Sequence, residues 1–269
     1  MRTRLIALDI DGTLIPPGAH HDALPDAEIS AAVGDLIAAG VVVVLASGRM
    51  FPGTARVARH LRLESPLICQ QGASVHRPDA SLLHRFAIDA DVADELVGYA
   101  REHAWPFAWF DAERYLVSEP NEATDHYGRV SGVVPEYRTD PRATGVVPTG
   151  IDIISTETHA SAIHAELAER YRGRVSLLDF PSVTAAHAPQ ASKGNALALL
   201  ADDLGIERDA VIAIGDSVND ASMLRWAGRG VAMPHCDRYA REAADEILAG
   251  SGASGLAPFL RSVLTTVAG

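Results

Sequence analysis

Three short apolar runs, residues 5–8, 41–46 and 210–214, each stop at a compact polar block. The blocks are Asp9-Ile10-Asp11-Gly12-Thr13, Ser47-Gly48-Arg49 and Gly215-Asp216-Ser217-Val218-Asn219-Asp220. Runs this short and this apolar read as strands buried on both faces. Between the first two, Ile29, Val33, Leu36 and Ile37 recur at helical spacing within residues 26–39, and Gly40 follows as a helix stop. Residues 51–63 predict a second helix and 66–69 a third strand, ending at Gln70-Gln71-Gly72-Ala73. Strand–helix–strand repetition implies a parallel sheet with right-handed crossovers, so every C-terminal strand end lies on one edge. Open α/β sheets bind ligands at that edge.

The pattern changes between residues 79 and 188. Strands are predicted over 82–88, 105–110, 114–118, 151–155, 175–180 and 182–186, with helices over 91–102 and 160–171. Eleven of the fifteen aromatic residues fall in this stretch, which reads as a smaller unit filling its own core with large side chains. The doubly wound pattern resumes at residue 192. A helix over 192–204 has Ser192 as its cap and Gly205 as its stop. Helices over 219–227 and 239–244, strands over 230–233 and 246–248, and a last helix from about Leu256 complete it. The expected fold class is α/β: a doubly wound, Rossmann-like parallel-sheet core with an inserted α+β cap. The core takes residues 1–79 and 188–269 and the cap 80–187.

A net charge of −12 argues against nucleic acid or an anionic membrane as partner. It leaves room for a small phosphorylated ligand, because a metal ion and a few local cations reverse the potential inside a site. Two cysteines, Cys69 and Cys236, make no disulfide framework and suit a reducing cytoplasm. The longest aliphatic stretch, residues 41–46, is too short to span a bilayer. The eleven histidines show no zinc spacing with cysteine and read mostly as surface residues.

Asp9 and Asp11 are two residues apart in an extended segment, so both side chains can face one site. An N-cap or an Asx turn would use the same residues. Asp216 arrives at the same sheet edge. Three carboxylates meeting at one point call for a hard divalent cation, and Mg²⁺ prefers oxygen ligands. Lys193 sits in the first turn of its helix, where the dipole disfavours a cation. It is either a functional residue or a solvated surface lysine.

Taken together and in order, the Asp9, Ser47, Lys193-Gly194 and Gly215 blocks resemble the haloacid dehalogenase superfamily, in its branch of Cof-type phosphatases with a large α/β cap. The resemblance covers essentially the whole chain. It implies Asp9 as a nucleophile forming an aspartyl-phosphate, and Asp11 as the acid and base. It implies that Ile10, Ser47, Gly48, Lys193 and Asn219 hold the phosphoryl oxygens. It implies Mg²⁺ bound by Asp9, the Asp11 carbonyl and Asp216, with Ser217 and Asp220 nearby. Arg49 either contacts phosphate or pairs with a carboxylate, and the sequence leaves both open.

The implied reaction is hydrolysis of a small phosphorylated metabolite, a sugar phosphate or related polyol. A phosphomutase and a catalytically idle binding protein are the other readings. Trp109, Asp111, Tyr115, Tyr127 and Arg129 are candidates for cap specificity. Three departures from the family pattern stand at Gln71, at Pro234-His235 and at Pro16-Pro17-Gly18, near the sheet edge but outside the expected catalytic set. Whether the protein is a monomer or a dimer is open.

Overall fold

The computed structural model describes residues 2–250 and 255–267. Residues 1, 251–254, 268 and 269 of the expected core segment lie outside it. In chain order the elements are β1 (Leu5–Leu8), α1 (Ala27–Ala38), β2 (Val42–Leu45), α2 (Phe51–His60), β3 (Leu67–Cys69), β4 (Ser74–His76), β5 (Leu82–Arg85) and α3 (Ala90–Glu102). They continue with β6 (Phe107–Phe110), β7 (Tyr115–Val117), α4 (Glu122–Ser131), β8 (Glu136–Tyr137), β9 (Gly150–Ile154), α5 (Glu157–Arg170), β10 (Ser176–Phe180) and β11 (Val183–His187). The last are α6 (Lys193–Asp203), β12 (Val211–Gly215), α7 (Ala221–Trp226), β13 (Arg229–Ala232), α8 (Arg238–Ala243), β14 (Glu246–Ile247) and α9 (Leu256–Val267).

Five strands form a wholly parallel sheet in the order β14-β13-β12-β1-β2. β1 is an interior strand, between β12 and β2, and all four of its residues are buried, which is why it carries no polar residue. Alternate residues feed two cores. Ile6 and Leu8 pack with α1, α2 and α9, and Leu5 and Ala7 pack with α6, α7 and α8. A single parallel bridge from Ala46 to Ile68 links β2 to β3, which opens a small antiparallel sheet β3-β4-β5.

A second sheet runs β10-β11-β9-β6-β7-β8, antiparallel except at β7–β8. One face is covered by α3 and α5, through a cluster holding Phe107, Trp109, Leu116, Ile151 and Ile153. Trp109 is therefore a core residue, with its indole donating to the Val146 carbonyl at 2.9 Å. The other face carries Ala108, Phe110, Tyr115, Val117 and Ile154, and it turns toward the Asp9 end of the parallel sheet. β5 joins β4 rather than this second sheet.

Candidate active site

Asp9 follows β1 and its amide donates to the Ile214 carbonyl at 3.0 Å, which continues the β1–β12 pairing. The chain then turns. The Gly12 amide donates to the Ile15 carbonyl at 2.8 Å, and Gly12 has φ +90. A Cβ there would fall 2.2 Å from an Asp216 carboxylate oxygen, so the turn needs glycine both for its backbone angle and for this close approach.

Lys193 is the first residue of α6 and has no exposure to solvent. Its Nζ donates to Asp9 Oδ1 and Asp220 Oδ1, both at 2.6 Å. Burial works against its ammonium, but Asp220 and Asp9 outweigh that and hold its pKa above the ordinary lysine value. The surface-lysine reading does not hold. Asp220 in turn accepts from the amides of Asp216 (2.9 Å) and Ser217 (3.1 Å) through Oδ2, so one buried carboxylate fixes both the lysine and the β12–α7 turn.

Carboxylate oxygens of Asp9, Asp216 and Asp220 lie within 4.8 Å of one another. Burial, with Asp220 next, raises the Asp9 pKa well above the usual carboxylate range despite Lys193. Burial and Asp220 likewise push Asp216 up to about 7. One ammonium is too little positive charge for three clustered carboxylates. The cluster, all hard oxygen donors, fits Mg²⁺.

Asp11 stands beside this group with a half-exposed side chain. Arg49, 3% exposed, grips it with two hydrogen bonds, Nε to Oδ2 at 2.7 Å and Nη2 to Oδ1 at 2.5 Å. That settles which partner Arg49 takes: a carboxylate, and specifically that of Asp11. Ser47 is buried, and its Oγ accepts from the Arg49 amide at 3.1 Å. The amides of Ile10 and Gly48 donate to no described residue and stay free for a ligand's oxygens. Asn219 lies in the turn before α7, with its amide donating to Gln71 Oε1 at 2.7 Å and its Oδ1 accepting from Ser217 Oγ at 2.7 Å.

Two of the departures from the family pattern do touch this group, contrary to the expectation. Gln71 has φ +61, and its Nε2 sits 2.4 Å from where a Cβ on Gly48 would be; its Oε1 holds Asn219. His235 Nε2 is 2.8 Å from the Gly12 carbonyl and 3.9 Å from Asp216. The reason is the crossover topology, which brings the loops after β3 and β13 to the same edge as those after β1 and β12.

A cavity of about 940 Å³ runs from Asp9 and Asp216 to the open face of the second sheet. Tyr115, Tyr127 and Arg129 line it, whereas Trp109 and Asp111 do not. Tyr127 on α4 donates its hydroxyl to the Gly48 carbonyl at 3.1 Å. Asp152 and His187 also line the cavity and were not expected from the sequence. Asp152 interrupts the apolar run of β9, and that interruption was the available signal.

Residues 6–260 match the family described as haloacid dehalogenase-like hydrolase. The chain is 30% identical over 265 residues to a phosphoglycolate phosphatase of Halorubrum lacusprofundi, covering 97% of each chain. It is 28% identical over 262 residues to the 5-amino-6-(5-phospho-D-ribitylamino)uracil phosphatase YcsE of Bacillus subtilis, covering 96% of this chain and 94% of that one. A solved haloacid dehalogenase-like hydrolase from Bacteroides thetaiotaomicron superposes with a TM-score of 0.82 at 22% identity, over 97% of this chain and all of that one, a likeness of fold alone. With a family match along nearly its whole length, the chain belongs to the haloacid dehalogenase-like hydrolases.

Proposed function

We propose that the protein is a Mg²⁺-dependent phosphatase that hydrolyses a small phosphorylated metabolite, of the sugar phosphate class, through an aspartyl-phosphate on Asp9. The observation that carries this is the buried Asp9–Lys193–Asp220 chain at the mouth of a cavity far larger than phosphate. The relatives named for activity on phosphoglycolate and on a ribitylaminouracil phosphate share the reaction and differ in the leaving group. They therefore support a phosphomonoesterase without naming its substrate.

Asp9 Oδ1 is held by Lys193, and Oδ2 has no partner among the described residues. Oδ2 is the oxygen that attacks phosphorus. Asp11 protonates the departing alkoxide and then takes a proton from the water that cleaves the acyl phosphate. Lys193, the Ser47 hydroxyl, the Asn219 amide and the Ile10 and Gly48 amides receive the phosphoryl oxygens and stabilise the charge that develops on them. Mg²⁺ would be held by Asp9, the Asp11 carbonyl and Asp216, with Ser217 and Asp220 close by, and would offset the negative charge of carboxylates and phosphate. Arg49 holds Asp11 in place through its two hydrogen bonds.

In this reading residues 1–79 and 188–269 are the catalytic core and 80–187 the inserted cap, which closes over the leaving group and excludes water. The unpaired cysteines suit a cytoplasmic site of action. The test is phosphate release from a panel of phosphorylated metabolites, with Mg²⁺ and with a chelator. Release that needs the cation supports the reading. No release from any monoester by the folded protein would overturn it.

A further inference from the structure

The open face of the second sheet holds one charged side chain with no partner among the described residues. Asp152, in β9, lies between Ile151 and Ile153, which point to the covered face, so its carboxylate faces the cavity. Its neighbours in register are Ala108 on β6 and Ala185 on β11, small residues that leave room above it. It makes no hydrogen bond or ion pair with any described residue. Burial alone raises its pKa to about 7, with no nearby cation to offset the effect.

The cations that line the cavity are otherwise engaged or remote. Arg49 is committed to Asp11. Arg129 is exposed on α4 and does not influence Asp152. His187, on the same face, is pushed down to about 4 by burial and stays neutral, with Nε2 unpartnered. Close by stand three aromatic rings, Phe110, Tyr115 and Tyr127, with centroids 5.0–5.9 Å apart. Both tyrosines feel the Asp152 charge.

Asp152 is partly buried in the cavity wall, and a lone carboxylate there loses part of its hydration with nothing in return until a ligand supplies charge. A hydroxyl donates a hydrogen bond and leaves the charge uncompensated. An ammonium supplies both, and aromatic walls attract it further. We propose that Asp152 is a specificity-determining residue, selecting a leaving group with a positively charged nitrogen at the end remote from phosphate. This rests on the phosphatase reading and narrows its substrate to phosphate esters of amino alcohols, amino sugars included. The preferred substrate would then be anionic at the Asp9–Lys193 end and cationic at the Asp152 end.

The test compares kcat/KM for ω-aminoalkyl phosphates with that for ω-hydroxyalkyl phosphates of matched chain length, over a stepped series, in wild type and Asp152→Asn. At the best-fitting length the wild type is expected to favour the amine by about tenfold or more, the scale of a charge-assisted hydrogen bond. In Asp152→Asn that ratio falls to near unity. The wild-type ratio tests the idea even if the variant folds poorly. Equal rates for both series at every length would overturn the proposal while leaving the phosphatase intact, as would an amine preference that survives Asp152→Asn. A preference for polyhydroxylated phosphates over both series, lost in Asp152→Asn, would assign hydroxyl recognition and overturn the charge argument. No hydrolysis of either series or of nitrophenyl phosphate would instead overturn the phosphatase reading, and this proposal with it.

Discussion

Asp11 and Arg49 show how much a single pair of side chains constrains chemistry. The guanidinium is buried and the carboxylate is half exposed, so the pair holds the carboxylate at the cavity edge. If Asp11 is the acid, Asp11→Asn slows esters of poorly departing alcohols by about 10²-fold or more, and slows nitrophenyl phosphate much less. Equal slowing of both, measured as kcat, would assign Asp11 a positioning role only. Asp152 and His187 give a second prediction, about pH. The Asp152 carboxyl is raised from 3.8 to about 7 in the folded state, so its contribution is full below pH 4 and is lost as pH rises through 7. The His187 imidazole is lowered from 6.5 to about 4, so its contribution is full above pH 6.5 and is lost as pH falls toward 4. The two slopes oppose each other, each at most about 1.4 kcal/mol per pH unit. Relative to wild type, Asp152→Asn is expected to gain stability more steeply with rising pH between 4 and 6.5, and His187→Gln less steeply. Denaturant melts across that range check both. The sequence announced Asp9, Asp216 and Lys193 because each follows or opens a regular element. It did not announce Asp152 or His187, and it marked Gln71 only as a departure outside the catalytic set; what all three do depends on which strands pair and which loops meet.

Elements with strong caps and clear periodicity were legible. α6 runs between the Ser192 cap, whose hydroxyl accepts from the Asn195 amide, and Gly205. β6, β7, β9, β10 and β11 lie where apolar, β-rich runs predicted them, within a residue or two. α4 was missed. Its sequence is mostly polar with three residues buried, so no apolar stripe marks it, although Asn121 and Gly132 do cap its ends. β8 is two residues long and has no pattern to detect. α4 nevertheless helps join the two sheets, because it rests on α2. A Cβ at Gly53 on α2 would lie 2.2 Å from the Val130 carbonyl and 2.8 Å from Ser131 Cα. The Met50 amide also donates to Ser131 Oγ at 3.1 Å. Gly53→Ala is therefore expected to push α4 away and carry Tyr127 off the Gly48 carbonyl. Stability should fall by about 1–3 kcal/mol, the usual range for overpacking, with KM raised more than kcat is lowered. Denaturant melts and steady-state kinetics read the two effects, and an unchanged KM would mean that the α2–α4 contact does not shape the cavity.

Across the whole molecule the net charge is −12, yet the chain must accept an anion. The parallel sheet resolves this locally by gathering Lys193, free amides and a cation-demanding carboxylate cluster at one edge. The fold class was readable from the βαβ order alone, while the cavity's shape depends on how the second sheet is set over the first. Without a cation, Asp216 takes up a proton as pH falls through about 7, because burial and Asp220 raise its pKa. Mg²⁺ bound there, as proposed, would displace that proton. Its stabilisation, read as a rise in Tm, is therefore expected to be larger at pH 8 than at pH 5.5. A shift independent of pH would place the cation elsewhere. In the proposed reaction Asp9 itself takes the phosphoryl group. Acid quench of the enzyme during turnover, followed by borohydride reduction and peptide mapping, addresses it directly. The expected result is a labile phosphoryl adduct whose reduction converts Asp9 alone. A pre-steady-state burst of product with no adduct, or an adduct on another residue, would contradict it.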